Sequence, residues 1–243
     1  MVTALGERIE TVRAEIARSC GRAGRNPSEV TLVAVSKTHP ASVVLEAVRA
    51  GLRDFGENRV EEAEGKIAAV MAQTGEPLVW HMIGHIQSRK AREVAPLFKV
   101  VQSVDSVRLA GKLAQALPEG RELALLLECN VSGESSKGGF AMRDWERDPA
   151  AVAGLAQSVG EIAALPGLTV RGLMTMAPIA DEPEDVRPVF RSLRRLRDAL
   201  EQQTGISLPV LSMGMTDDYP VAIEEGATMV RVGRALFGER AAQ

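Results

Sequence analysis

The chain has 243 residues, of which 45% are hydrophobic and 25% charged, and its formal net charge is −3 at pH 7. This balance is typical of a globular protein and argues against a nucleic acid or an anionic membrane as partner. No apolar run approaches the length of a membrane span. Residues 1–16 mix Glu and Arg at helical spacing and lack a signal-peptide core, so we expect a cytoplasmic protein.

Short apolar segments, typical of strands buried on both faces, recur along the whole chain. They predict strands over residues 31–36, 52–55, 79–83, 100–104, 123–130, 169–174, 209–212 and 229–232. Between them, amphipathic patterns predict helices over residues 41–50, 60–72, 89–94, 107–117, 150–164, 185–201 and 219–225. Another helix, over residues 1–23, precedes the first strand.

Eight β–α units in a chain of this length predict an α/β protein with a single (β/α)8 TIM barrel domain over residues 1–243, carrying the extra N-terminal helix. The alternative is an open, doubly wound sheet. No Gly-x-Gly-x-x-Gly motif follows the first strand, which weakens the nucleotide-binding version of that alternative.

A lysine, Lys37, ends the first strong apolar run, and Pro40 then favours the start of a helix. In a TIM barrel the reacting groups gather at the carboxyl ends of the strands, so Lys37 is expected at the barrel mouth. A desolvated amine loses its proton more readily, and a neutral amine can attack a carbonyl to form a Schiff base. The alternative is a surface lysine that caps the strand.

Gly56-Glu57-Asn58 follows the second predicted strand. The glycine permits a sharp turn out of the strand. Asn58 either caps the next helix or contacts a ligand through its amide, and the local sequence favours the cap.

The last two strands end in segments suited to an anion. Ser212 and Gly214 supply a hydroxyl and a glycine, while Gly233 and Arg234 supply a glycine, a cation and the start of a short helix. Phosphate sites in barrels often lie here, and amides at a helix start favour an anion. The alternative is a pair of glycine turns that close the barrel.

Arg231 lies in the final strand. If it points into the mouth, its permanent charge would face a ring nitrogen of a cofactor and keep that nitrogen unprotonated. The alternative is an ion pair with a carboxylate at the barrel rim.

Two further segments are expected to carry no chemistry. Residues 133–139 resemble a phosphate-binding loop but lack the Walker spacing, so we expect a mobile loop with a solvated Lys137. His81 and His85 stand four residues apart, but Gly84 and the strand context argue against a shared helical face. We therefore expect no metal site.

Nine short motifs occur in one order along the chain: Ala-Val-Ser-Lys-Thr (34–38), Phe-Gly-Glu-Asn (55–58), Trp-His-Met-Ile-Gly (80–84), Gln-Ser-Arg-Lys (87–90), Ser-Val-Asp-Ser (103–106), Ser-Ser-Lys-Gly (135–138), Arg-Gly-Leu-Met (171–174), Leu-Ser-Met-Gly-Met (211–215) and Val-Arg-Val-Gly (230–233). Together they resemble the pyridoxal phosphate homeostasis protein family, whose barrel is similar to the N-terminal domain of bacterial alanine racemase. The resemblance covers essentially the whole chain. It implies that Lys37 holds pyridoxal phosphate (PLP) as a Schiff base, that Arg231 approaches the pyridine nitrogen and that Asn58 lines the ring.

By the same resemblance, Ser212, Gly233 and Arg234 hold the phosphate of PLP. The family usually has Thr or Ser where this chain has Arg234. A guanidinium can bind a phosphate through two hydrogen bonds, or it can swing outward and leave only backbone amides.

The resemblance leaves a carrier and an enzyme as the two candidate functions. Alanine racemase adds a C-terminal β-domain and uses a tyrosine of the partner subunit as a second base, whereas here we expect no second domain, and the one tyrosine of the sequence is Tyr219. We therefore predict a monomer that stores PLP or delivers it to apo PLP-dependent enzymes, without substantial turnover. The alternatives are an amino-acid racemase and, less favoured, a barrel enzyme acting on a phosphorylated sugar with Lys37 as an aldolase-type base.

Overall fold

The computed structural model describes residues 3–238. Its strands are all parallel and mostly three to five residues long, and they read as follows: β1 (Thr31–Val35), β2 (Asp54–Glu57), β3 (Val79–Met82), β4 (Val100–Val104), β5 (Leu123–Asn130), β6 (Phe140–Ala141), β7 (Leu168–Met174), β8 (Val210–Ser212) and β9 (Met229–Val232).

The strand order closes a barrel. Neighbouring strands run β4-β3-β2-β1-β9-β8-β7-β5, and β4 also pairs with β5, so this part of the sheet has no free edge. Within residues 3–238, the short β6 pairs only with the end of β5. The predicted TIM barrel is confirmed, and the open sheet is wrong.

Helices surround the barrel: α1 (Ala4–Arg22), α2 (Ala41–Arg49), α3 (Val60–Met71), α4 (Ala91–Val94), α5 (Val107–Ala116), α6 (Pro149–Ala163), α7 (Arg187–Thr204), α8 (Tyr219–Glu224) and α9 (Arg234–Phe237). The extra helix α1 begins at a Thr3 cap, whose hydroxyl accepts the Gly6 amide. It packs on α8 and α9, and Arg8 Nε donates to the Leu236 carbonyl at 2.6 Å. Among the described residues no helix is both long and apolar enough to cross a bilayer.

Besides shifts of one to three residues at other element ends, three differences from the prediction have a physical reason. Strand β2 begins two residues later than expected, because its register sets Asp54 beside Val79 and places the apolar Leu52 before the strand. The helix expected over residues 89–94 splits into a 3-10 turn (Ser88–Lys90) and α4. The strand β6 was not predicted, since two residues are too few to give an alternating pattern.

The barrel holds two different cores. Large aliphatic and aromatic side chains pack between the strands and the helices. Inside the barrel a small apolar cluster of Val33, Leu126, Met174 and Met229 is separate from that outer layer. Polar side chains fill the rest of the interior, and they lead to the candidate site.

Candidate functional site

Lys37 lies just beyond the end of β1, half-buried, in a tightly held turn. The next residue, Thr38, has a φ of 67°, a left-handed conformation that costs a β-branched residue about 1–3 kcal/mol. The Thr38 amide donates to Glu62 Oε1 at 2.5 Å, and the His39 amide donates to the Ser36 carbonyl at 3.1 Å. The turn that carries Lys37 is therefore fixed on both sides.

Asn58 does not cap the next helix. Helix α3 begins at Val60 with Arg59 at the N-cap position, and no side chain caps it, so the expected cap is wrong. Instead Asn58 Oδ1 is buried and lacks a hydrogen-bond partner. Gly84 fits tightly against its backbone, because a Cβ there would lie 2.2 Å from the Asn58 carbonyl oxygen. An unpaired buried acceptor of this kind is suited to a donor on a ligand.

Arg231 points into the barrel and is 4% exposed. Its Nη1 donates to Ser212 Oγ at 2.6 Å and its Nη2 donates to the Thr175 carbonyl at 2.8 Å. The expected alternative, an ion pair at the rim, is wrong, since neither guanidinium hydrogen bond in the described residues goes to a carboxylate. Burial lowers the pKa of Arg231 to about 10, against the opposing effect of Asp218 and Glu128. The guanidinium is still a cation at neutral pH.

A chain of hydrogen bonds crosses the barrel interior from Arg231. Ser212 Oγ donates to Gln102 Oε1 at 2.7 Å, Gln102 Nε2 lies 3.0 Å from His81 Nδ1, and His81 Nε2 lies 3.0 Å from Asp54 Oδ1. Gln102 and Ser212 come from β4 and β8, which are not neighbours in the sheet, so the bond between them spans the interior.

The guanidinium sets the direction of every bond in this chain. Because Arg231 can only donate, the Ser212 hydroxyl accepts from it and turns its own hydrogen to Gln102 Oε1. The amide nitrogen of Gln102 then faces His81 Nδ1, which must accept, and the proton of His81 on Nε2 donates to Asp54. The interior is thus a fully paired network that holds Arg231 in place.

The predicted phosphate ligands lie around the ends of β8 and β9. Ser212 is fully buried, and its hydroxyl is engaged by Gln102 and Arg231. Gly233 precedes the short helix α9, as expected for a glycine at a helix start. The guanidinium of Arg234 is mostly exposed and pairs with Asp217, so in this structure it takes the outward position.

Two carboxyl groups near the mouth are unusually hard to ionise. Burial raises the pKa of Glu128, and repulsion from Asp105 adds to that effect. Burial likewise raises the pKa of Asp218, although its carboxylate accepts the Met215 amide at 2.5 Å.

The two remaining segments, around the histidines and after β5, make contacts within the protein. His81 belongs to the interior network, while His85 is exposed and lies 3.5 Å from Asp105, so the two imidazoles do not face a common point. The side chain of Asn130 donates to the carbonyls of Glu134 and Lys137. The loop after β5, expected to be mobile, is thereby tied to the strand.

Comparison with known proteins identifies close relatives. The profile of a family described as alanine racemase, N-terminal domain, matches residues 10–241. A pyridoxal phosphate homeostasis protein of Pseudomonas aeruginosa is 44% identical over 240 residues, which cover 98% of this chain and 97% of that protein. A protein of the same name from Aquifex aeolicus is 41% identical over 235 residues, covering 96% of this chain and 97% of that one.

Solved structures similar to this chain include a member of the same family and an alanine racemase. PipY of Synechococcus elongatus, solved with PLP bound, superposes with a TM-score of 0.80 at 36% identity, covering 96% of this chain and 100% of that chain. Alanine racemase of Corynebacterium glutamicum superposes with a TM-score of 0.65 at 18% identity, and the match covers 97% of this chain and 62% of the racemase. The likeness to the racemase concerns the fold alone.

Proposed function

Because this chain belongs to the pyridoxal phosphate homeostasis protein family, we propose that it binds pyridoxal 5′-phosphate in the cytoplasm and stores or delivers it. The observation that carries the proposal is a fixed lysine and a buried arginine on adjoining strands. Lys37 follows β1, and Arg231 lies in β9, where it pairs in register with Val33 of β1. The PLP-bound structure of PipY, a relative at 36% identity, supports this assignment.

The residues present fit the cofactor. The Lys37 amine would hold the aldehyde carbon as a Schiff base, with loss of water. Asn58 Oδ1, buried and unpaired, would accept a hydrogen bond from a donor at the ring. At the other end, the Gly233 amide would receive the phosphate. The Ser212 hydroxyl would join it only by giving up its hydrogen bond to Gln102, because its single proton is donated there. Arg234 would join them only by leaving its ion pair with Asp217.

Arg231 favours a carrier over an enzyme. When bound, PLP supplies an electron sink for amino-acid chemistry, and that sink is strongest with a protonated ring nitrogen. A guanidinium with a pKa of about 10 stays charged and can only donate, so it would hold the facing nitrogen unprotonated. The interior network that begins at Ser212 holds the Arg231 guanidinium inside the barrel.

A transfer assay tests the carrier function. The loaded protein is mixed with an apo PLP-dependent enzyme, and recovery of that enzyme's activity is followed. We expect recovery with the wild-type protein, and no exchange of the α-hydrogen of alanine or serine above a cofactor-only control. Fast exchange or racemisation that disappears in Lys37→Ala would contradict the carrier and favour a racemase.

We also propose that the protein acts as a monomer. Light scattering on the purified protein should give the mass of one chain, with and without PLP.

A further inference from the structure

A buried lysine on α3 lies against the turn that carries Lys37. Lys66 is 8% exposed, and its Nζ donates to Glu57 Oε1 at 2.7 Å, to Glu62 Oε1 at 2.8 Å and to the Ser36 carbonyl at 2.8 Å. An ammonium group has three N–H donors, and all three are used here. Lys66 therefore has no proton or lone pair free for chemistry with a ligand.

These contacts hold the residues on both sides of Lys37. On one side, the Ser36 carbonyl accepts from Lys66, and the Ser36 hydroxyl donates to Glu57 Oε1 at 2.7 Å. On the other side, the Thr38 amide donates to the same Glu62 oxygen that accepts from Lys66.

The energetics of the cluster point to positioning rather than to stability. Glu57 is fully buried; burial raises the pKa of Glu57, although Lys66 and Ser36 pull it down. Burial opposes ionisation of Glu62 as well, but hydrogen bonds from Lys66 and Thr38 leave the pKa of Glu62 lowered. A buried ion pair often adds nothing to stability over an apolar pair of the same size. The Lys66 cluster does supply hydrogen bonds that hold Ser36 and Thr38 in the strained turn.

From this geometry we infer that Lys66 is a positioning residue for Lys37. By anchoring Ser36 directly and Thr38 through Glu62, it holds both neighbours of Lys37 and keeps the turn at Thr38 in its left-handed conformation. The inference rests on the proposed PLP binding for its functional consequence, but its structural part concerns the protein without ligand.

The experiment compares Lys66→Met, which keeps the length of the side chain and removes its donors, with wild type. Lys112→Met is the matched control, since Lys112 is exposed on α5. In the ligand-free proteins, hydrogen exchange is measured at the Thr38 amide. In a second arm, PLP is added, and the rate and affinity of adduct formation are read from the visible spectrum.

We expect faster exchange at the Thr38 amide and adduct formation slowed about tenfold or more in Lys66→Met, with both unchanged in Lys112→Met. Two further variants guard against loss of folding. Glu57→Gln combined with Lys66→Met leaves no unpaired buried charge, and Glu62→Ala removes the partly exposed end of the anchor. Both should show the same two defects in a folded protein.

Wild-type exchange and wild-type adduct kinetics in these variants would overturn the inference. So would recovery of both properties in the double variant, because Lys66 would then serve only to neutralise Glu57. If wild type itself forms no adduct, the proposed function fails, while the exchange data still decide whether Lys66 anchors the turn.

Discussion

Replacing Gln102 by Leu should break the hydrogen-bond network inside the barrel. The change removes the acceptor for the Ser212 hydroxyl and the donor to His81 Nδ1, and both of these partners are buried. Each buried polar group left unpaired costs about 1–3 kcal/mol. The added apolar burial of Leu offsets part of that, so we expect a net loss of about 2–4 kcal/mol. For a chain of this length, that corresponds to a fall in Tm of about 4–16 °C.

Thermal unfolding followed by far-UV circular dichroism measures the effect. Gln202→Leu is the control, because Gln202 is exposed on α7 and the same substitution there should leave Tm within about 1 °C of wild type. Equal Tm values for Gln102→Leu, the control and wild type would refute the reasoning, since the interior bonds would then contribute nothing measurable.

Three further predictions concern the mouth. Hydrogen bonds to a charged group contribute about 1.5–3 kcal/mol each, so pyridoxal should bind orders of magnitude more weakly than PLP in a spectral titration. Equal affinities for pyridoxal and PLP would contradict the anion site. In the same titration, Arg234→Thr should leave the affinity for PLP nearly unchanged. Glu128→Gln should raise Tm, and by more as the pH increases, because a carboxyl whose folded pKa is raised loses stability when it ionises with rising pH. A gain in Tm that is largest at acidic pH would show the opposite sign.

Much of the fold could be predicted because most strands of the barrel are short apolar runs followed by a polar or glycine-rich turn. The same pattern predicted Lys37 at the mouth, because the carboxyl ends of all strands of a parallel barrel lie at the same face. The β2 boundary was missed because it depends on pairing with β3, which local sequence does not encode. The Asn58 cap was wrong because α3 begins one residue later than a cap at Asn58 requires, with Arg59 at the N-cap position.

The interior network could not be read from one sequence. His81 and Gln102 stand at inward positions of apolar strands, but the bond from Gln102 to Ser212 joins residues 110 positions apart. The buried position of Lys66, in contrast, could have been inferred from the sequence pattern. Lys66 lies three residues after Ala63 on the face of α3 that Ile67 and Val70 bury, where a lysine is out of place in an amphipathic pattern.

The most direct test of the central claim is to identify the lysine that binds PLP. The purified protein is loaded with PLP, reduced with borohydride and digested, and the labelled peptide is mapped by mass spectrometry. We predict label on Lys37 in the wild-type protein, loss of the yellow absorbance in Lys37→Ala and no label on Lys66, whose donors are all engaged. Label on Lys137 or another lysine, with the absorbance intact in Lys37→Ala, would contradict it.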